Sequence, residues 1–152
     1  MNVGVIGCGY VTDFYAKTLA NYPALNLVGV YDRNQRNLDQ FVRRWPARKY
    51  ASLEELTGDH EVELVLNLTN PRSHYPVTLA CLERGKHVYS EKPLAMSADD
   101  AKELVTLAER LGLYLASAPC SVLSETAQTL WRAIRKGVAC SKTRRTPPGR
   151  RW

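Results

Sequence analysis

Hydrophobic and polar positions along this chain switch between two periods. Short apolar runs of strand length alternate with longer segments whose apolar residues recur every three or four positions. Residues 3–6 form the first run, and 10–19 carry the first helical pattern. Residues 25–31 form the second run. In 34–45, Leu38, Phe41, Val42 and Trp45 fall at i, i+3, i+4 and i+7, which predicts a second helix. Lys49-Tyr50 has room for a very short strand, and Ser52-Leu53-Glu54-Glu55 is a capping-box pattern opening a brief helix that Gly58 stops. Residues 62–68 are β-branched and aliphatic, which predicts a central strand of a parallel sheet covered on both faces. Thr69-Asn70-Pro71 ends it, and a helix follows over 73–84, closed by Gly85. A strand at 87–89 precedes a helix capped at Ser97, whose apolar positions Ala101, Leu104, Val105, Leu107, Ala108 and Leu111 hold a 3.6 period. The pattern closes with a strand at 114–118 and a helix at 121–135. Strands alternating with helices predict an α/β fold: a doubly wound parallel sheet with right-handed crossovers.

Composition narrows the function classes. At 152 residues, with 45% hydrophobic and 24% charged positions, the chain has the makings of one globular domain. No apolar stretch reaches the roughly 18 residues of a membrane span, and the N-terminus enters a strand at once, so a cytoplasmic location is the expectation. Cys8, Cys81, Cys120 and Cys140 are scattered, and His60, His74 and His87 lack ligand spacing, so neither a metal site nor a disulfide framework is expected. The formal charge of +6 at first points to nucleic acid. Its distribution says otherwise: five basic residues and no acid lie in 138–152, leaving 1–137 nearly neutral. Residues 138–152 carry no apolar period and two adjacent prolines, and read as a basic tail, disordered or non-native, after a domain of 1–137.

The first strand ends in Gly7-Cys8-Gly9 and runs directly into a helix. Strand, glycine turn and helix open a dinucleotide-binding unit. Gly7 supplies the tight turn, Gly9 lets the backbone approach a diphosphate, and the helix N-terminus faces it with the positive end of its dipole. Thr12 stands where the third glycine of the motif would be, and that glycine serves helix–strand packing rather than phosphate contact. Asp32 ends the second apolar run, 25 positions after Gly7, where an acid is expected to bond the adenosine ribose hydroxyls. Its other reading is a turn or cap residue before the next helix.

Ligands of open α/β sheets bind beyond the carboxyl ends of the strands, where strand order reverses. Residues 7–10, 68–74 and 91–93 are expected to converge there. Lys92 precedes Pro93, which restricts it to an extended backbone. A lysine partly desolvated beside an apolar ring gives up its proton more readily and can exchange one with a substrate hydroxyl. The competing reading is a surface lysine paired with Glu91.

The ordered set GVIGCGYV, the acid after the second strand, NLTNPRSHYPVTLACLERGKHVYSEKPLA and ASAPCSVL resembles the N-terminal half of the Gfo/Idh/MocA oxidoreductases, over essentially all of residues 2–137. The resemblance implies NAD(P)-dependent hydride transfer to or from a sugar, cyclitol or related hydroxy compound. It makes Lys92 the catalytic lysine of a Glu-Lys-Pro motif. It places Gly7, Gly9, Tyr10 and Val11 around the pyrophosphate, Asp32 at the ribose, and Thr69, Asn70, His74 and Glu91 along the nicotinamide half. Asp32 favours NAD because a carboxylate repels a 2′-phosphate, while Arg33 beside it leaves NADP open. The substrate domain of the family has no counterpart in the chain, which is therefore expected to be truncated. A non-catalytic dinucleotide-binding module, or pseudoenzyme fragment, is the rival reading; oligomeric state is left open.

Overall fold

The computed structural model describes residues 1–118 and 124–137. The chain divides into two units, Met1–Pro119 and Cys120–Trp152. The basic tail and the first residues of the last expected helix, 121–123, lie outside the described residues.

The first unit alternates strand and helix throughout. Its elements are β1 (Asn2–Ile6), α1 (Tyr10–Leu19), β2 (Asn26–Tyr31), α2 (Gln35–Arg44), β3 (Arg48–Lys49), α3 (Leu53–Gly58), β4 (Leu64–Asn67), α4 (Pro71–Glu83), β5 (His87–Ser90), α5 (Ala98–Leu111) and β6 (Leu115–Ser117). The six strands form one sheet in the order β3-β2-β1-β4-β5-β6, and every neighbouring pair is parallel. The expected doubly wound architecture is present, and its order reverses between β1 and β4.

Strand side chains divide between the two faces with the period of two that the pleat imposes. Val3 and Val5 of β1 and Leu66 of β4 join Ala16 of α1 with Leu38 and Phe41 of α2 in one buried cluster. Ile6 and Val65 face the other way, into a cluster with Leu56 of α3, Cys81 and Leu82 of α4, and Leu104 and Ala108 of α5. The sheet is therefore covered on both faces, with α1 and α2 on one side and α3, α4 and α5 on the other.

Helix starts follow the capping residues visible in the sequence. Asn34, Ser52 and Ser97 each accept a backbone N–H with the side chain. In the capping box, Ser52 Oγ accepts from the Glu55 N–H at 3.1 Å, while the Glu55 carboxylate accepts from Ala51 N–H rather than from the cap residue itself. Gly112 closes α5 with a left-handed backbone.

Several boundaries differ from expectation. Helix α4 begins at Pro71, because proline at the first helical position needs no N–H partner and its fixed φ suits the helix. Strand β4 spans only Leu64–Asn67, so Val62 and Leu68 are buried just outside the ladder. Strand β3 stops one residue before the fully buried Tyr50, and β6 is confined to Leu115–Ser117.

In the second unit, helix α6 (Glu125–Arg135) is capped by Ser124, which accepts from Ala127 N–H, and the Arg135 guanidinium lies 4.7 Å from the Trp131 ring centroid. No helix among the described residues is long and apolar enough to cross a membrane.

Phe41 ties α2 to the sheet and is 1% exposed. Phe41→Ala is expected to lower the unfolding free energy by about 3–5 kcal/mol in urea titrations followed by circular dichroism. A loss well under 1 kcal/mol would mean that α2 does not seal this face.

Candidate functional site

The turn after β1 is set by a close approach between strands. Gly7 has φ +96°, and a Cβ there would sit 2.7 Å from the carbonyl oxygen of Leu68. Only glycine fits both the conformation and the contact. Its N–H donates to the Tyr31 carbonyl at 2.9 Å, and Leu68 N–H donates to the Ile6 carbonyl at 2.8 Å, so the ends of β2, β1 and β4 are bonded side by side. Thr12, at the position of the missing third glycine, is fully buried, and its hydroxyl donates to the Gly7 carbonyl at 2.7 Å. The side chain that breaks the motif thus secures the turn.

Gly9 is different. It is the N-cap of α1, and a Cβ added to it would meet nothing within 4 Å. No side chain caps α1 or α4, the latter starting at Pro71, whereas α2, α3 and α5 are capped by their own Asn or Ser. The first turn of α1 therefore keeps N–H groups and dipole available to an anion, in front of open space. This arrangement fits a diphosphate.

Around this turn lies a crevice of about 700 Å3. Its walls include Gly7, Gly9, Tyr10, Val11, Asp32, Arg33, Thr69 and Asn70 from among the predicted site residues. Asp32 closes it at the end of β2. One of its oxygens accepts the Cys8 N–H and the other the Asn34 N–H, both at 2.7 Å. The carboxylate thus joins the glycine turn to the start of α2, and each oxygen keeps a second lone pair. Burial, then the negative charges of Asp32 and Asp13, push the Cys8 thiol up to about 12, which leaves it a protonated packing residue.

Three predicted residues, His74, Glu91 and Lys92, are not among those lining this crevice. His74 is 1% exposed, with Nδ1 2.6 Å from the Pro93 carbonyl and Nε2 3.0 Å from the Thr69 carbonyl. It links the crevice wall to the segment that carries Lys92. Glu91 uses one carboxylate oxygen to accept the Tyr15 hydroxyl of α1 at 2.8 Å and the other to accept the Lys92 N–H at 2.9 Å. Burial, reinforced by the hydrogen bond to Glu91, raises the Tyr15 phenol above its ordinary range, so it remains a donor. The Lys92–Pro93 peptide is cis, and the Lys92 side chain is exposed.

Sequence reasoning passed over the residues that brace this region from within. Asn67, fully buried at the end of β4, donates to the His74 carbonyl and to Thr78 Oγ1, both at 3.0 Å, and accepts the Thr69 hydroxyl at 2.7 Å. Asparagine in an otherwise aliphatic run was the available signal. Tyr15 gave none, since it fits an ordinary helix, and Thr12 was read only as the residue in place of the third glycine.

The family model of the Gfo/Idh/MocA oxidoreductases, with their NAD-binding Rossmann fold, matches residues 1–118. Glucose-6-phosphate 3-dehydrogenase of Bacillus subtilis (strain 168) is 34% identical over 112 residues, which cover 73% of this chain and 31% of that protein. Two solved structures align with a TM-score of 0.80 and 29% identity. Biliverdin reductase from Synechocystis sp. PCC 6803, in complex with biliverdin and NADP+, is matched over 89% of this chain and 43% of its own. GenD2 from gentamicin A biosynthesis, in complex with NAD, is matched over 90% and 38%. The chain spans about a third of the length of the curated relative.

The two glycines of the turn separate by experiment. Gly7→Ala is expected to cost about 1–3 kcal/mol of stability through backbone strain and the clash with Leu68. Gly9→Ala, with φ −82° and open space around it, is expected to change stability by less than about 1 kcal/mol. Equal losses in thermal or urea unfolding would contradict the different environments of the two positions.

Proposed function

Because the chain belongs to the Gfo/Idh/MocA oxidoreductase family, we propose that its crevice binds a nicotinamide dinucleotide and that it forms the cofactor half of an oxidoreductase acting on a sugar, cyclitol or related hydroxy compound. The observation that carries this reading is the uncapped start of α1, with clear space before Gly9 and a carboxylate at the end of β2. Gly7, Gly9, Tyr10 and Val11 surround the diphosphate in this reading. The free lone pairs of Asp32 accept the adenosine ribose hydroxyls. Thr69 and Asn70 border the nicotinamide half, and His74 and Glu91 serve that half from behind by holding the loop of Lys92.

The bound cofactor supplies or accepts the hydride, and the chain's own residues do the rest. Lys92 exchanges the proton of the substrate hydroxyl. Its neighbours hold the peptide while the amine stays exposed to an incoming substrate. Asp32 disfavours a 2′-phosphate and thus selects NAD, with Arg33 beside it moderating the preference over NADP.

A second reading is a dinucleotide-binding module without turnover, which the exposed Lys92 side chain, held only through its backbone, favours. Fluorescence titration with NADH, beside dehydrogenase assays on sugars and inositols, divides the two readings: binding without turnover supports the module. Asp32→Ala is expected to weaken NADH binding about tenfold and to narrow the gap to NADPH. Lys92→Ala is expected to leave NADH affinity within about twofold while removing any turnover. Failure of the unaltered chain to bind NADH at millimolar concentration would overturn the cofactor reading, and unchanged selectivity in Asp32→Ala would overturn the ribose assignment.

A further inference from the structure

The crevice extends beyond the groups that a diphosphate and a ribose would occupy. Leu53 and Glu54 of α3 also line it, together with Tyr31, Ser73 and Val77. Tyr31, Leu53 and Val77 are partly buried against the cluster beneath α3, α4 and α5, so this part of the crevice has apolar walls of fixed position. Glu54 is an exposed carboxylate set among them. The two acids of the crevice arrive from opposite faces of the sheet, Asp32 leading into α2 and Glu54 standing on α3.

Their surroundings give them different work. Asp32 is bonded through both oxygens to the turn and to the start of α2. The Glu54 carboxyl is held below the usual carboxylate range by its own peptide N–H first and the Ser52 hydroxyl second. It therefore stays an acceptor at neutral pH. Apolar walls with a carboxylate at the rim, beside the neutral polar side chains of Asn34, Asn37 and Ser73 that also line the crevice, match a flat heteroaromatic base that carries an exocyclic amino donor. A 6-oxo base sets an acceptor against the carboxylate at that position and leaves only its N1–H, displaced along the edge, to meet it.

We propose that Glu54 reads the base edge of the dinucleotide, accepting a hydrogen bond from the 6-amino group of adenine, so that the chain selects 6-amino over 6-oxo purine dinucleotides. This rests on the cofactor reading of the crevice. The role is one of specificity, since Glu54 lies at the adenosine end and not with the reacting atoms.

Nicotinamide hypoxanthine dinucleotide differs from NAD only along this edge, where a 6-oxo group and an N1–H replace the 6-amino group and the bare N1, so its reduced form is the probe. Both reduced dinucleotides are titrated into the unaltered chain, Glu54→Gln and Glu54→Ala, following nicotinamide fluorescence. The unaltered chain is expected to bind NADH about tenfold more tightly than the hypoxanthine analogue. Glu54→Gln, whose amide both donates and accepts, is expected to bring the two within about threefold, chiefly by tighter binding of the analogue. Glu54→Ala is expected to weaken NADH and level the two ligands. Coincident thermal unfolding of the three proteins checks that the fold is unchanged. An NADH-to-analogue ratio that stays the same in Glu54→Gln overturns the proposal. So does a variant that gains NADPH affinity with the base preference intact, which would make Glu54 a phosphate-excluding charge. If the unaltered chain binds neither dinucleotide, the cofactor reading falls first and this inference with it; NADH binding without base discrimination removes this inference alone.

Discussion

The close approach of Gly7 to Leu68 is the contact on which the rest of the architecture depends. Beyond β1 the chain turns toward α1 on one face of the sheet, and beyond β4 it turns toward α4 on the other. Two adjacent strands whose continuations part in this way must leave a gap at their carboxyl ends. The gap has a defined floor only if the strand ends stay bonded up to the point of divergence. Gly7 permits this by having no Cβ to strike the Leu68 carbonyl, and the bond from Leu68 N–H to Ile6 locks the two ends together. Thr12 then ties the first turn of α1 to the same glycine. The crevice follows from chain topology and one absent side chain.

Around that floor, hydrogen-bond partners are divided between structure and opening. Asn67, Thr78 and Tyr15 have their polar atoms bonded to other parts of the chain, and the two ring nitrogens of buried His74 lie against the Pro93 and Thr69 carbonyls. The start of α1 and the outward lone pairs of Asp32 are instead left toward the crevice. Desolvating a diphosphate is costly, and N–H groups already fixed in direction offset that cost without a further loss of entropy. A rigid interior beside an unsatisfied rim is therefore the arrangement a charged ligand needs. Burying the satisfied groups also keeps the rim from collapsing inward.

Much of this was legible in the sequence, for reasons that can be named. Period and turn chemistry are local properties, so alternating strands and helices, the caps at Ser52 and Ser97, and the Gly-Cys-Gly turn could be read directly. Eight of the eleven singled-out site residues line one crevice because they lie in the turns after β1, β2 and β4 or, for Tyr10 and Val11, in the first turn of α1, and parallel strands bring such segments to one edge. What could not be read was pairwise and long-range. Glu91 lies beside Lys92 in the chain, yet its side chain bonds Tyr15, 76 positions away. His74 suits the face of a helix by spacing, but its two ring nitrogens meet carbonyls of two separate loops. Strand ends were overextended for a related reason: apolarity reports burial, and Val62 and Leu68 are buried without belonging to the ladder.

The segment of Lys92 shows how far this half of the site is organised. Its backbone N–H is fixed by Glu91, its neighbour Pro93 is met by His74, and both supports reach into helices that pack on the sheet. The peptide is therefore placed as firmly as the crevice wall. The amine is another matter, since it is borne by an exposed, four-carbon stem with about 2 kcal/mol of rotamer entropy. Proton transfer demands a heavy-atom separation near 3 Å, so that entropy must be given up whenever the amine meets a hydroxyl. A substrate seated by further contacts would supply the direction and offset the loss; a backbone anchor alone does not. On the proposed reading, cofactor binding and proton transfer would therefore be separable, because the first would draw on groups already held in place and the second on one that is not.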